Sequence, residues 1–147
     1  MRKINFIIII LNGLFFYSCN ESKDLQHLNG YWEIVSVSID GKNVKNYPFS
    51  GTIDYFILNQ NNGFRKKVKP KIDGSFDITM HEIEFKIEMK KNDIYLVYGK
   101  GKNFVESIVK LDSTKMILKN MDGFFYEYKR FFPENFLNEY FRNKKST

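Results

Sequence analysis

The sequence predicts an all-β protein with antiparallel strands, and three observations support this. The 147 residues include 15 Phe and 9 Tyr but no Ala, and aromatic residues favour strands over helices. From residue 31 onward, short runs of alternating apolar and polar residues are separated by turns that contain Gly, Asn or Asp. No predicted helix is long enough to connect parallel strands. We therefore expect about eight or nine strands in an up-and-down barrel or a sandwich.

The predicted strands follow one another at intervals of a few residues. The clearest alternation, in residues 83–89, puts apolar side chains on one face and charged side chains on the other, as in a strand with one solvated face. In the run 64–72, Arg65 and Lys67 lie on the side that we expect to be solvated. The predicted strands are 31–39, 52–58, 64–72, 76–80, 83–89, 94–98, 104–111, 116–119 and 124–132.

One helix is predicted near the C-terminus, over residues 133–143. Pro133 suits the first helical turn, and Glu134 suits the positive end of the helix dipole. The apolar residues of this segment fall on one face, which we expect to pack on the sheet.

Residues 1–18 have the layout of a removable export signal. Two basic residues, Arg2 and Lys3, come before an apolar run at 6–16, and Ser18 ends the segment. The apolar run is shorter than the roughly 20 residues that span a bilayer. We therefore interpret it as a signal peptide.

The next residue, Cys19, is the only cysteine in the sequence. The stretch 16–19 resembles the lipobox of bacterial lipoproteins, in which the thiol is acylated and the cysteine becomes the mature N-terminus. The resemblance implies a palmitate-type lipid anchor on Cys19, residues 19–28 as a flexible tether, and a place in the cell envelope. We expect the outer membrane of a Gram-negative bacterium, on its periplasmic or exposed side. The alternative is an ordinary secreted protein with a free cysteine.

A second resemblance concerns both ends of the folded part. Gly30, Tyr31 and Trp32 open the first strand, and Arg130 lies near the end of the last one. This pattern resembles lipocalin-like bacterial lipoproteins, in which a Gly-x-Trp element starts the barrel and an arginine covers the Trp ring. The resemblance implies that residues 29–147 form a lipocalin-like barrel of about eight strands, with Trp32 and Arg130 closing its end.

The sequence offers little catalytic chemistry, so we expect no enzyme. There are two histidines, His27 and His81, and no cysteine or histidine spacing supplies a metal site. No Gly-x-Ser-x-Gly motif is present. We expect no catalytic residue, no metal and no cofactor.

The charge pattern does not favour a nucleic-acid partner. The formal charge of +6 falls to +4 without Arg2 and Lys3, and the remaining basic residues are interleaved with acidic ones along the chain. Nucleic-acid binders usually concentrate their positive charge on one face. We expect a solvated, lysine-rich surface instead.

The tyrosines suggest where a ligand would bind. The chain has more aromatic side chains than a small core requires. In a barrel, part of this excess would line the mouth, and the candidates are Tyr55, Tyr98, Tyr126 and Tyr128. They are the candidate site for a small apolar or sugar-like ligand. The alternative is a filled barrel that serves as a structural or interaction subunit of an envelope complex.

Overall fold

A computed structural model describes residues 24–48, 50–78, 82–99 and 104–133. The export signal 1–18, Cys19, His81 and all of the predicted helix except Pro133 lie outside these ranges. The strands are β1 (Gly30–Ile39), β2 (Lys42–Asn46), β3 (Ile53–Asn59), β4 (Asn62–Pro70), β5 (Phe76–Ile78), β6 (Ile83–Lys90), β7 (Asp93–Tyr98), β8 (Phe104–Leu111), β9 (Lys115–Asn120) and β10 (Phe125–Arg130).

Eight of these strands close into an antiparallel barrel. The sheet runs β1–β3–β4–β6–β7–β8–β9–β10, and β10 then pairs with β1. The other two strands extend neighbours outside this ring, β2 beside the second half of β1 and β5 beside the end of β4. The predicted all-β antiparallel barrel is confirmed.

The strand β2 is absent from the sequence prediction. Its residues are all exposed, so they show no alternation of apolar and polar side chains. The preceding turn has positive φ at both Asp40 (50°) and Gly41 (72°). Two such residues form the tight hairpin that suits twisted strands. Backbone pairing with β1, rather than burial of side chains, therefore holds β2 in place.

The structure corrects the end of the predicted tether. Residues Leu25–Leu28 form a single-turn 3-10 helix, and the Asp24 carboxylate accepts a hydrogen bond from the backbone N–H of Gln26 at 2.9 Å. Leu28 is fully buried in the barrel core. The folded domain therefore starts before residue 29.

The interior of the barrel has two layers. The lower layer, nearest the 3-10 helix, is a packed apolar core, and we call this end of the barrel the closed end. Charged and tyrosine side chains form the layer above it. We call the other end, where β6 begins, β7 ends and β8 begins, the mouth. The core contains Leu28, Trp32, Phe56, Leu58, Phe85, Ile87, Leu96, Tyr98, Ile108, Leu111, Met116, Leu118 and Tyr128. The two tyrosines belong to both layers, because their hydroxyls contact the charged side chains.

Candidate ligand-binding site

The closed end is built around Trp32. Its ring is fully buried, and its Nε1 donates a hydrogen bond to the carbonyl oxygen of Leu28 at 2.9 Å. Trp32 and Arg130 are directly paired residues of β1 and β10. The guanidinium carbon of Arg130 lies 3.8 Å from the centroid of the Trp32 ring. The structure therefore brings together the two residues that the sequence resemblance linked.

Arg130 also ties the entering chain to the barrel. Its guanidinium donates to the carbonyl oxygens of Asn29 (Nη1, 2.7 Å) and His27 (Nη2), and its Nε donates to the carbonyl of Ser113 at 3.1 Å. A Cβ atom at Gly30 would lie 2.7 Å from Nη1 of Arg130, and Gly30 has a φ of +117°. Glycine is required there because both the backbone conformation and the space exclude a side chain. Arg130 therefore packs directly against the backbone of Gly30 at the closed end.

A charged cluster lies above the apolar core, contrary to the sequence prediction for β4. Arg65 and Lys67 point into the barrel instead of into solvent, and the side chain of Arg65 is only 16% exposed. The prediction was wrong because the opposite side of β4 is also covered. Val68 on that side is buried against Ile53 and Phe131 on the outside of the barrel.

Arg65 is the centre of this cluster. Its Nε donates to Oδ1 of Asp54 at 3.0 Å, and its Nη2 donates to the Tyr128 hydroxyl at 3.0 Å. A longer contact of 3.4 Å joins Nη1 to Oε2 of Glu106. The guanidinium also lies over the ring of Phe56, 5.2 Å from its centroid. Arg65 thus links strands that are 11 to 63 residues apart in sequence.

Two further contacts complete the cluster. Lys67 Nζ lies 3.1 Å and 3.2 Å from the two carboxylate oxygens of Asp54, which therefore contacts two cations. The Tyr98 hydroxyl donates to Oε2 of Glu106 at 2.8 Å. Asp54 and Glu106 are each only 2% exposed. Buried carboxylates need such partners because leaving an ion unpaired in the interior is costly.

Burial changes the acidity of this cluster. It raises the pKa of Glu106 above the usual 4.5, although the guanidinium of Arg65 and the Tyr98 hydroxyl oppose the change. It also raises the pKa of the Tyr98 and Tyr128 phenols, so both hydroxyls stay protonated at neutral pH. The ionised carboxylate of Glu106 is therefore less favourable in the folded protein than in the unfolded chain.

We expect Glu106→Gln to change how stability depends on pH. An acid whose pKa is raised by folding stabilises the protein below its unfolded pKa, and this contribution is lost as the pH rises through the folded pKa. The variant lacks this titration. Its stability relative to wild type should therefore increase as the pH rises above about 4.5 and should level off once Glu106 is ionised. Urea unfolding of both proteins from pH 4 to pH 8 measures the difference, and a pH-independent difference would contradict the assignment.

A cavity of ≈ 330 Å³ lies between this cluster and the mouth. Ligand cavities typically measure about 300–1,000 Å³, so its size fits a small molecule. Two of its apolar wall residues, Ile83 and Phe104, are 42% and 43% exposed although they lie on the inward-facing side of their strands. The cavity is lined by Arg65, Lys66, Lys67, Ile83, Tyr98 and Phe104.

The four candidate tyrosines occupy different places. Tyr98 lines the cavity, and Tyr128 lies beneath it as a partner of Arg65. Tyr126 is partly buried against the core, and its hydroxyl accepts a hydrogen bond from Nδ2 of Asn120 at 3.3 Å. The structure corrects the position of Tyr55, which lies on the outside of the barrel and stacks on Tyr31 with ring centroids 4.5 Å apart.

The described part of the chain contains no group of three or more His, Cys, Asp or Glu side chains placed to hold a metal ion. It also contains no helix with the length and apolar character that crossing a bilayer requires.

Comparison with known proteins gives one family and several structures. The family model described as a lipocalin-like domain matches residues 28–118. No curated protein matches the chain. An uncharacterized protein from Bacteroides eggerthii has 16% identity and a TM-score of 0.42, and the alignment covers 71% of this chain and 99% of that one. A lipocalin-like protein from Bacteroides uniformis has 12% identity, a TM-score of 0.44 and the same coverages. Apocrustacyanin C1 has 12% identity and a TM-score of 0.43, with 78% of this chain and 64% of that one covered.

Proposed function

This chain belongs to the lipocalin-like domain family, and we propose that it is a membrane-tethered binding protein that holds a small ligand in the mouth of its barrel. The observation that carries the proposal is the ≈ 330 Å³ cavity above the charged cluster. The packed core below it supplies a rigid floor, and the exposed rings and aliphatic side chains around it supply an apolar surface.

The site is better suited to binding than to catalysis. The charged side chains that face the cavity are held in ion pairs and hydrogen bonds across several strands. Such a network fixes side chains in place and favours a preformed site. We therefore propose selective binding of a small ligand without chemical turnover.

The alternative is an interaction subunit of an envelope complex. The lower half of the barrel is filled, which favours this reading for that part of the interior. Native mass spectrometry of the full-length protein purified from its own host separates the two functions. A bound small molecule that leaves on mild activation supports the binding protein. A stoichiometric protein partner without a small molecule would instead support the subunit.

The proposed anchor is the lipid on Cys19, and the geometry of the described chain fits it. The chain enters the barrel at the closed end, where Arg130 binds the carbonyls of His27 and Asn29. The five steps between the Cα atoms of Cys19 and Asp24 can span at most roughly 17 Å. The ten-residue strand β1 is roughly 33 Å long. A lipid at Cys19 would therefore hold the closed end near the membrane and leave the mouth open to the aqueous side.

We expect Cys19→Ser to abolish acylation and to leave an unprocessed precursor. The sulfur atom of the thiol receives the lipid before the signal is cleaved. A serine hydroxyl does not substitute for the thiol in this acylation, so cleavage should not follow. Metabolic labelling with a tagged fatty acid, followed by membrane fractionation, measures the change. Equal labelling of the variant and the wild type would overturn the proposed anchor but would leave the ligand site untouched.

A further inference from the structure

We propose that the mouth cavity selects a small amphipathic anion, whose acidic group is bound by Arg65 and Lys67 while its apolar part lies against Ile83, Tyr98 and Phe104. The inference rests on the proposed binding function and names the class of ligand. Three observations support it. The charged side chains on the cavity wall are basic, the two carboxylates lie deeper than these cations, and the guanidinium of Arg65 has donors for a further acceptor.

The charged side chains on the cavity wall are all cationic. Among its described lining residues, three are basic and none is acidic. The ammonium of Lys66 lies over the outer rings of Tyr55 and Phe64, at 5.5 Å and 5.2 Å from their centroids. This leaves Arg65 and Lys67 as the cations that point into the barrel. An acidic group entering from the mouth therefore meets these two side chains.

The two carboxylates of the cluster lie behind the cations. Asp54 and Glu106 are each 2% exposed, whereas the side chains of Arg65 and Lys67 are 16% and 35% exposed. The carboxylates therefore hold the cations in place without presenting negative charge to the cavity. Preorganised cations of this kind bind an anion with little further loss of side-chain entropy.

Arg65 has the capacity to bind a further acceptor. Its contacts with Asp54, Glu106 and Tyr128 use three of the five guanidinium N–H groups. The Tyr98 hydroxyl is a further neighbour of the guanidinium on the cavity side. The contact with Glu106, at 3.4 Å, is also the longest of the three. A planar carboxylate matches the two Nη groups of a guanidinium well.

The rest of the wall is suited to an apolar group. Ile83 and Phe104 are 42% and 43% exposed, and the rings of Tyr98 and Phe104 lie 5.3 Å apart. A ligand that covers these side chains removes their apolar surface from water, which is favourable. A neutral apolar molecule would make the same apolar contacts, but it would remove water from the cations without supplying a new charged acceptor, at a cost in affinity.

Calorimetric titration of the full-length protein in nonionic detergent with octanoate and its uncharged analogue octanamide tests the inference. We expect octanoate to bind at least about tenfold more tightly than octanamide, because a hydrogen bond to a charged group contributes more than a neutral one. Lys67→Gln should weaken octanoate binding by about tenfold and octanamide binding by clearly less. Lys69→Gln is the matched control, since Lys69 lies on the same strand but is exposed, and it should bind octanoate like wild type.

The outcomes separate this inference from the proposed function. Equal binding of octanoate and octanamide, with no effect of Lys67→Gln, would overturn the selection of anions but would support an apolar ligand site. If neither compound bound and the native protein carried no small molecule, the proposed function and this inference would both fail. Circular dichroism of each variant identifies a loss of folding, and the more conservative variant Lys67→Arg, which keeps the charge, should then retain octanoate binding.

Discussion

Replacing Arg65 by methionine is expected to lower the free energy of unfolding by about 3–5 kcal/mol. Methionine fills much of the same volume, so the loss comes from the charges rather than from a cavity. The substitution removes the partner that Glu106 and Asp54 share, and both carboxylates are 2% exposed. A buried ion pair contributes little by itself, but removing one partner leaves an uncompensated buried charge.

Urea unfolding at pH 7 measures this effect. The control is Lys69→Met, an exposed position on the same strand, which should change stability by less than about 0.5 kcal/mol. The double variant Arg65→Met with Glu106→Gln should lose less than the sum of the two single changes, because one of the unpaired charges is gone. A single variant Arg65→Met as stable as wild type would show that the cluster does not hold the barrel together.

The strand order could be predicted because turns and alternation agree along most of the chain. In β6, alternate side chains are buried at Phe85 and Ile87, as the sequence pattern indicated. Short connections join consecutive strands, and all of them except residues 79–82 contain Gly, Asn or Asp. Local signals of this kind are sufficient to predict the strand order of an antiparallel barrel, because most strands that are neighbours in the sheet are also neighbours in sequence.

The charged cluster was not predicted because the alternation of side chains in β4 was interpreted without reference to its neighbouring strands. Its inward residues include Arg65 and Lys67, which look like a solvated face when only one strand is considered. The neighbouring strands carried a usable signal. Asp54 lies in phase with the buried Phe56 on β3, and Glu106 lies in phase with the buried Ile108 on β8. Two carboxylates at core positions require buried cations as partners, and charge balance across strands would have predicted them.

The position of Tyr55 could not be read from composition. A tyrosine alternates between the two faces of a strand like any other residue, and only the register of β3 assigns it to the outside. There it contacts Tyr31, which stacks on Phe76 of β5 with ring centroids 4.6 Å apart. The excess of aromatic residues is thus explained in part by a second apolar cluster outside the barrel, to which Ile53, Val68 and Phe131 also belong.

Trp32→Ala is expected to lower the free energy of unfolding by about 3–5 kcal/mol. The indole is fully buried, so its removal leaves a cavity, and the carbonyl oxygen of Leu28 loses the donor Nε1. Arg130→Ala should lower it by about 2–3 kcal/mol, because Arg130 provides the cation–π contact at 3.8 Å and hydrogen bonds to carbonyls of the entering chain. The milder pair Trp32→Phe and Arg130→Lys keeps the test usable if an alanine variant does not fold.

The double-mutant cycle of Trp32 and Arg130 decides whether the two residues act together. They are paired across β1 and β10, the strands whose contact closes the barrel. The double variant should therefore lose about 1–2 kcal/mol less than the sum of the single losses. The cycle of Trp32 with the exposed Lys69 should be additive within about 0.5 kcal/mol, because distant residues do not share an interaction. Strict additivity for Trp32 and Arg130 as well would mean that the arginine contributes through its carbonyl contacts alone, and that the stacking at the closed end does not stabilise the barrel.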